Sequence, residues 1–187
     1  MKKSFQLQKI VFVVYIIAMI LCVLYSLGFM SRYSNLFGFE QPLNEDITHF
    51  HDDILQPFNN ILFFASLFGA ASIIVIFALQ INKRICDRFA CIVSSLVASV
   101  TACVSVFAII ALPLIIQSYD KVDFSYMGLE DLNFQTAEYV REYSTFYLGI
   151  ALYAVIFVAM IFFIAVIIRN YKLGKKNNQV EVGESNV

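Results

Sequence analysis

The chain has 187 residues, 60% of them hydrophobic and 14% charged, with a net charge of −1. A soluble domain is nearer about half apolar and about a quarter charged, so a water-soluble globule is excluded as the first reading. The near-neutral balance offers no basic field for nucleic acid, and the length suits one domain.

The N-terminal segment carries Lys2, Lys3 and Lys9 and then runs 22 residues, 10–31, without a charge. About 20 apolar residues cross the hydrocarbon core as a helix. A signal-peptide core is about 7–15 residues, and no small-x-small cleavage site follows. Leu21 stands before Cys22, where a lipoprotein would carry a small residue. The run is read as a retained first transmembrane helix.

The polar stretch 32–53 holds Phe37, Gly38, Phe39 and Pro42, then NEDITHFHDDILQPFNN. Asn44 is placed to cap a short helix with Glu45 and Asp46 in its first turn. Ile47, Phe50 and Ile54 form one apolar stripe on it. Pro57 is expected to end or kink it at the membrane surface.

The second uncharged run covers 54–82, with its span placed at 57–82. It contains Ala65-x3-Gly69 and Ser66-x3-Ala70. A short basic connection follows, with Lys83, Arg84 and Arg88. The third run, 89–119, has 31 residues without a charge, and its span is placed at 89–116. It holds Ser95-x3-Ser99, Ala98-x3-Ala102 and Thr101-x3-Ser105, and Pro113 is read as a bend. Small residues at this spacing let helices approach closely in lipid. They serve either packing within one bundle or an interface to another membrane protein.

The second polar stretch, 120–142, ends in NFQTAEYVRE, read as a helical extension into the fourth span. Glu138 is placed within reach of Arg141, and Tyr139, Tyr143, Phe146 and Tyr147 are read as interfacial anchors in a chain without Trp. The fourth uncharged run is 143–168, with its span at 145–168. The tail carries Arg169, Lys172, Lys175 and Lys176. One domain is assigned to 1–172, and 173–187 is expected to be disordered.

Continuous apolar blocks without alternation exclude a membrane barrel. The fold class is therefore an all-α integral membrane protein, a four-helix transmembrane bundle with two acidic outer loops that carry short helical segments. Ten of the 13 basic residues lie in the N-terminal segment, the second connection and the tail. That bias predicts both termini in the cytoplasm of a cell membrane. The outer loops hold Glu40, Glu45, Asp46, Asp52 and Asp53, and Asp120, Asp123, Glu130, Asp131, Glu138 and Glu142. An acidic outer face needs no function, although it can attract cations or a basic partner.

No side chain of Asp, Glu, Lys, Arg or His lies within the four runs, which argues against a proton-coupled pump or an intramembrane protease. No HExxH, GxGxxG, GxxxxGK[ST] or GxSxG occurs. The only histidines, His49 and His51, neighbour Asp52 and Asp53. On a helix His49, Asp46, Asp52 and Asp53 share a face that suits a divalent metal, with a further ligand from Glu40 or the second loop. The plainer reading is a solvated acidic face, so no metal, cofactor or catalytic residue is assigned. Cys22, Cys86, Cys91 and Cys103 are read as small buried hydrophobes, with no disulfide framework and no metal spacing.

Claudins and tetraspanins share this topology. Claudins carry a Trp motif and a cysteine pair in the first outer loop, and tetraspanins a Cys-Cys-Gly in the large one. This chain has none of these, and no family is assigned from sequence. The leading expectation is a non-enzymatic accessory or assembly subunit of a larger membrane complex, such as a transporter. It would sit in the lipid bilayer and meet a membrane-protein partner, or further copies of itself, through small-residue helix faces. The alternatives are a self-contained or oligomeric small-solute transporter or channel, and a metal-dependent membrane enzyme using His49 and Asp53.

Overall fold

The computed structural model describes residues 2–34, 45–81, 88–123 and 141–184. Side chains are described for 7–29, 45–79, 88–123 and 141–174. The elements are α1 (Lys2–Ser34), a short α2 (Glu45–His49), a π-helical turn (Phe50–Leu55), α3 (Gln56–Ile81), α4 (Arg88–Tyr119) and α5 (Ser144–Glu184). No strand occurs among the described residues.

Four stretches are long and apolar enough to cross a membrane: Leu7–Phe29, Glu45–Leu79, Arg88–Tyr119 and Ser144–Gly174. Large apolar side chains cover their outer surfaces; Ile74 is 73% exposed and Val155 68%. A helix apolar on all sides belongs in lipid or in a large core, and this bundle is too small to have the latter. In hydrocarbon the helix satisfies its own backbone groups, which is why continuous helices result.

The four spans run up and down in antiparallel order. α1 packs on α3 and α5, and α4 packs most extensively on α5 and less on α3. The register is read from contacts along the axis. Near one end Asn170 Nδ2 donates to Gln8 Oε1 at 2.9 Å. Phe12 then stacks on Phe77 with ring centroids 6.3 Å apart, and Tyr15 on Phe163 at 5.3 Å. At the other end Phe29 meets Phe58 at 5.8 Å and Phe146 at 5.7 Å.

Buried positions recur every seven residues in all four spans. They are Gln8, Tyr15, Cys22 and Phe29 in α1; Leu55, Leu62, Gly69 and Ile76 along the π turn and α3; Cys91, Ala98, Ser105, Leu112 and Tyr119 in α4; and Phe146, Tyr153, Met160 and Ile167 in α5. A repeat of seven, about 3.5 residues per turn, is the period of helices packed in a left-handed bundle.

Three features depart from the sequence expectations. Pro57 does not end the helix: α2, the π turn and α3 follow one another without a gap. Gln56 keeps helical dihedrals (φ −64°, ψ −48°), and its N–H donates to the His51 carbonyl, five residues back. A proline ring presses on the carbonyl four residues before it, here that of Asp53, and the wider π turn at that place accommodates it. The extra residue in the turn also moves the third buried position from Ile54, which is only partly buried, to Leu55 at 2% exposure.

Second, residues 141–143 are not helical, and α5 begins at Ser144. Arg141 and Tyr143 are instead tied to the end of α4. Third, α5 continues through the segment from 173 expected to be disordered, as far as Glu184. An anchored helix extends without a new nucleation step.

Candidate functional site

Polar side chains line the bundle axis although the spans carry no charge. Tyr15 is fully buried, and its hydroxyl stands 2.5 Å from Ser72 Oγ and 3.3 Å from the Gly69 carbonyl. Ser72 Oγ donates to the same carbonyl at 2.5 Å, so the Tyr15 proton is available to Ser72. Nearer the other end the Tyr25 hydroxyl donates to the Thr145 carbonyl at 3.2 Å, and Ser26 Oγ to Asn59 Oδ1 at 3.4 Å. Thr101 and Ser105 donate to the carbonyls of Val97 and Thr101, four residues back in their own helix. This is how an apolar interior tolerates hydroxyls: all of these but Ser26, which bonds the Asn59 amide, find a backbone carbonyl. Asn59 Nδ2, Ser94 Oγ and Ser95 Oγ are the buried exceptions, without a partner among the described residues.

A narrow crevice opens into this seam between α3 and α4. Met19, Cys22, Ser66, Thr101 and Tyr153 are among its lining residues, and its volume is about 10 Å³. That is room for about one water molecule. Packed rings lie along the neighbouring interior. Tyr25 meets Tyr153 edge-on at 5.7 Å. Gly149 makes this possible, because a Cβ there would overlap the Tyr25 hydroxyl and stand 2.9 Å from Leu112 Cδ1.

The end bearing α2 is acidic and firmly seated. Ile47, Phe50 and Leu55 are buried beneath it. Phe50 meets Tyr119 at 5.6 Å, and Tyr119 in turn meets Phe146 at 5.6 Å and Tyr143 at 5.7 Å. Phe146 is therefore core, whereas Tyr147 is 60% exposed as an interfacial side chain would be. Beside this cluster the Tyr143 hydroxyl donates to Asp120 Oδ1 at 2.5 Å, and Arg141 Nη2 to the Val122 carbonyl at 2.9 Å. The hydrogen bond to the Asp120 carboxylate holds the Tyr143 hydroxyl above its ordinary pKa, because ionisation would set two anions against each other.

The histidine face resolves into two separate pairs. His49 Nδ1 lies 2.5 Å from Asp53 Oδ2, and His51 Nδ1 lies 2.7 Å from Asp52 Oδ1. His49 and Asp53 are about two-thirds exposed, at 67% and 65%. Among the described residues no three His, Cys, Asp or Glu side chains come together as a metal would need. Glu40, Cys86, Glu138 and Tyr139 lie outside the described residues. Cys22 and Cys91 are buried as expected, but Cys103 is exposed on the outer side of α4.

The small residues are largely turned inward. Ser66, Gly69, Ser72, Ala98, Ala102 and Ser105 are all buried, and Gly69 faces Met19 of α1. Ala65, Ala70, Ser95 and Thr101 are partly buried, and Ser99 is exposed. Sequence reasoning missed the axial seam of Tyr15, Ser72, Tyr25, Ser26 and Asn59. The seven-residue spacing of Gln8, Tyr15 and Cys22 is the signal that would have found it.

These features define a multi-pass membrane protein built as a four-helix bundle with an aromatic, acid-capped end. Comparison with protein-family models, with curated proteins and with solved structures found no match to this chain.

Proposed function

We propose that the chain is a non-enzymatic accessory or assembly subunit of a larger membrane complex, resident in a cell membrane with both termini in the cytoplasm. The orientation rests on the basic residues at one end. The observation that carries the functional reading is the contrast between interior and acidic end. Among the described residues the axial crevice has room for about one water, too little for a substrate. The acidic end is an exposed surface mounted on buried Phe50, Tyr119 and Phe146. With Ser66, Gly69, Ser72, Ala98, Ala102 and Ser105 committed to internal packing, docking moves to this end, where Asp46, Asp53 and Asp120 are exposed to a basic partner.

The test is mild-detergent extraction of the C-terminally tagged protein from native membranes, with mass spectrometry of what co-purifies. A stoichiometric membrane-protein partner is expected, and Asp46→Asn with Asp53→Asn should weaken its retention. A homogeneous species with no partner would sink the reading.

The axial seam favours a second reading, a small-solute transporter or channel. It requires the crevice to widen, and it predicts flux in liposomes of the pure protein that falls on Tyr15→Phe. Absence of flux across candidate solutes counts against it.

A further inference from the structure

α5 carries one stripe whose chemistry changes along its length. Val158, Phe162, Ala165 and Ile168 are exposed on it, then Arg169 and Lys172. Ala165, Ile168, Arg169, Lys172 and Leu173 together line a shallow groove on the surface. The other side of the same turns is held in the bundle by buried Val166, Ile167 and Asn170, and Asn170 bonds Gln8 of α1. The groove is therefore fixed in position and faces outward.

Position and charge identify what the groove fits. From Ser144 to Ile168 the helix rises about 36 Å, which places Arg169 just beyond a hydrocarbon core of about 30 Å. Arg169 and Lys172 stand one turn apart at headgroup depth. Neither makes an ion pair or hydrogen bond with any described residue. Two cations with no counter-charge among the described residues, set above an apolar track, call for an anion that carries a hydrocarbon chain. The track from Val158 to Ile168 is about 15 Å long, the depth of one leaflet.

We propose that this face of α5 is a binding site for an anionic phospholipid. Its phosphate lies between the Arg169 guanidinium, which can grip two oxygens at once, and the Lys172 ammonium. One acyl chain follows Ile168, Ala165, Phe162 and Val158 towards the middle of the bilayer. The site does not depend on the accessory-subunit reading, because it requires only that the bundle spans a membrane.

Native mass spectrometry of the full-length protein in detergent tests it, with phosphatidylglycerol and phosphatidylcholine titrated separately. Phosphatidylglycerol should be retained preferentially. Arg169→Gln with Lys172→Gln should weaken that retention about 30-fold, the loss expected of two juxtamembrane cations. The charge-matched pair Lys175→Gln with Lys176→Gln should leave it largely intact. Arg169→Lys with Lys172→Arg should also retain binding, which separates a lost site from a misfolded protein. Equal retention of both lipids, or an equal loss in the control pair, would overturn the proposal. So would displacement by inorganic phosphate beyond that by sodium chloride at equal ionic strength, which would mark a soluble-anion site.

Discussion

Tyr15 and Ser72 share one acceptor, the Gly69 carbonyl, and that sharing decides how the pair responds to substitution. Tyr15→Phe leaves Ser72 bonded to the carbonyl, and Ser72→Ala leaves Tyr15 within 3.3 Å of it. Hydrogen bonds between spans contribute about 0.6 kcal/mol on average, and up to about 1.7 kcal/mol. Each single variant should lose about that much in a reversible unfolding titration. The double variant should lose less or more than their sum, because the groups act as a unit. Strict additivity would mean that the two hydroxyls act independently. At the acidic end Tyr143 gives a pH-dependent counterpart. Its folded pKa is raised by Asp120, so its contribution is complete below the ordinary tyrosine value of about 10. The contribution is lost as pH rises through the raised folded value. Thermal stability followed with tyrosinate absorbance should show this alkaline loss, and Tyr143→Phe should flatten it. An unchanged alkaline limb in that variant would place the loss elsewhere.

At the scale of elements, the passage from α2 through the π turn into α3 seats the acidic end on the bundle. Phe50 is the anchor, at 2% exposure against Tyr119. Phe50→Ala removes a buried ring, a change that costs about 3–5 kcal/mol. Because α2 and the π turn lie at the end of the bundle, the loss should appear as local opening rather than unfolding of the spans. Hydrogen exchange should therefore accelerate roughly a hundredfold or more across 45–55 and change little in α4. Uniform acceleration would show that the capped end and the bundle open together. The apolar stripe of this segment was legible in sequence through Ile47 and Phe50. The shift from Ile54 to Leu55 was not, because a single extra residue in one turn leaves no mark on composition or periodicity.

The whole molecule is a test of topology. With both termini inside, an impermeant maleimide should label Asp123→Cys on intact cells and leave Ser185→Cys unlabelled until the cells are opened, in a background lacking the four native cysteines. The reverse pattern would overturn the orientation and leave the bundle itself untouched. The number of spans, their approximate ends and the segregation of charge were determined by the sequence alone. A bilayer demands length and apolarity of each segment separately, and both can be counted residue by residue. Only the tertiary structure decided which side of each helix meets another helix. In a soluble bundle polarity marks that side, but here Ile74 in lipid and Ile76 in the core are equally apolar. What separates them is packing: Gly69 against Met19, Gly149 beneath Tyr25, and hydroxyls that must find carbonyls. These depend on partners far apart in the chain, such as Tyr15 with Ser72 or Gln8 with Asn170, which no local stretch of sequence contains.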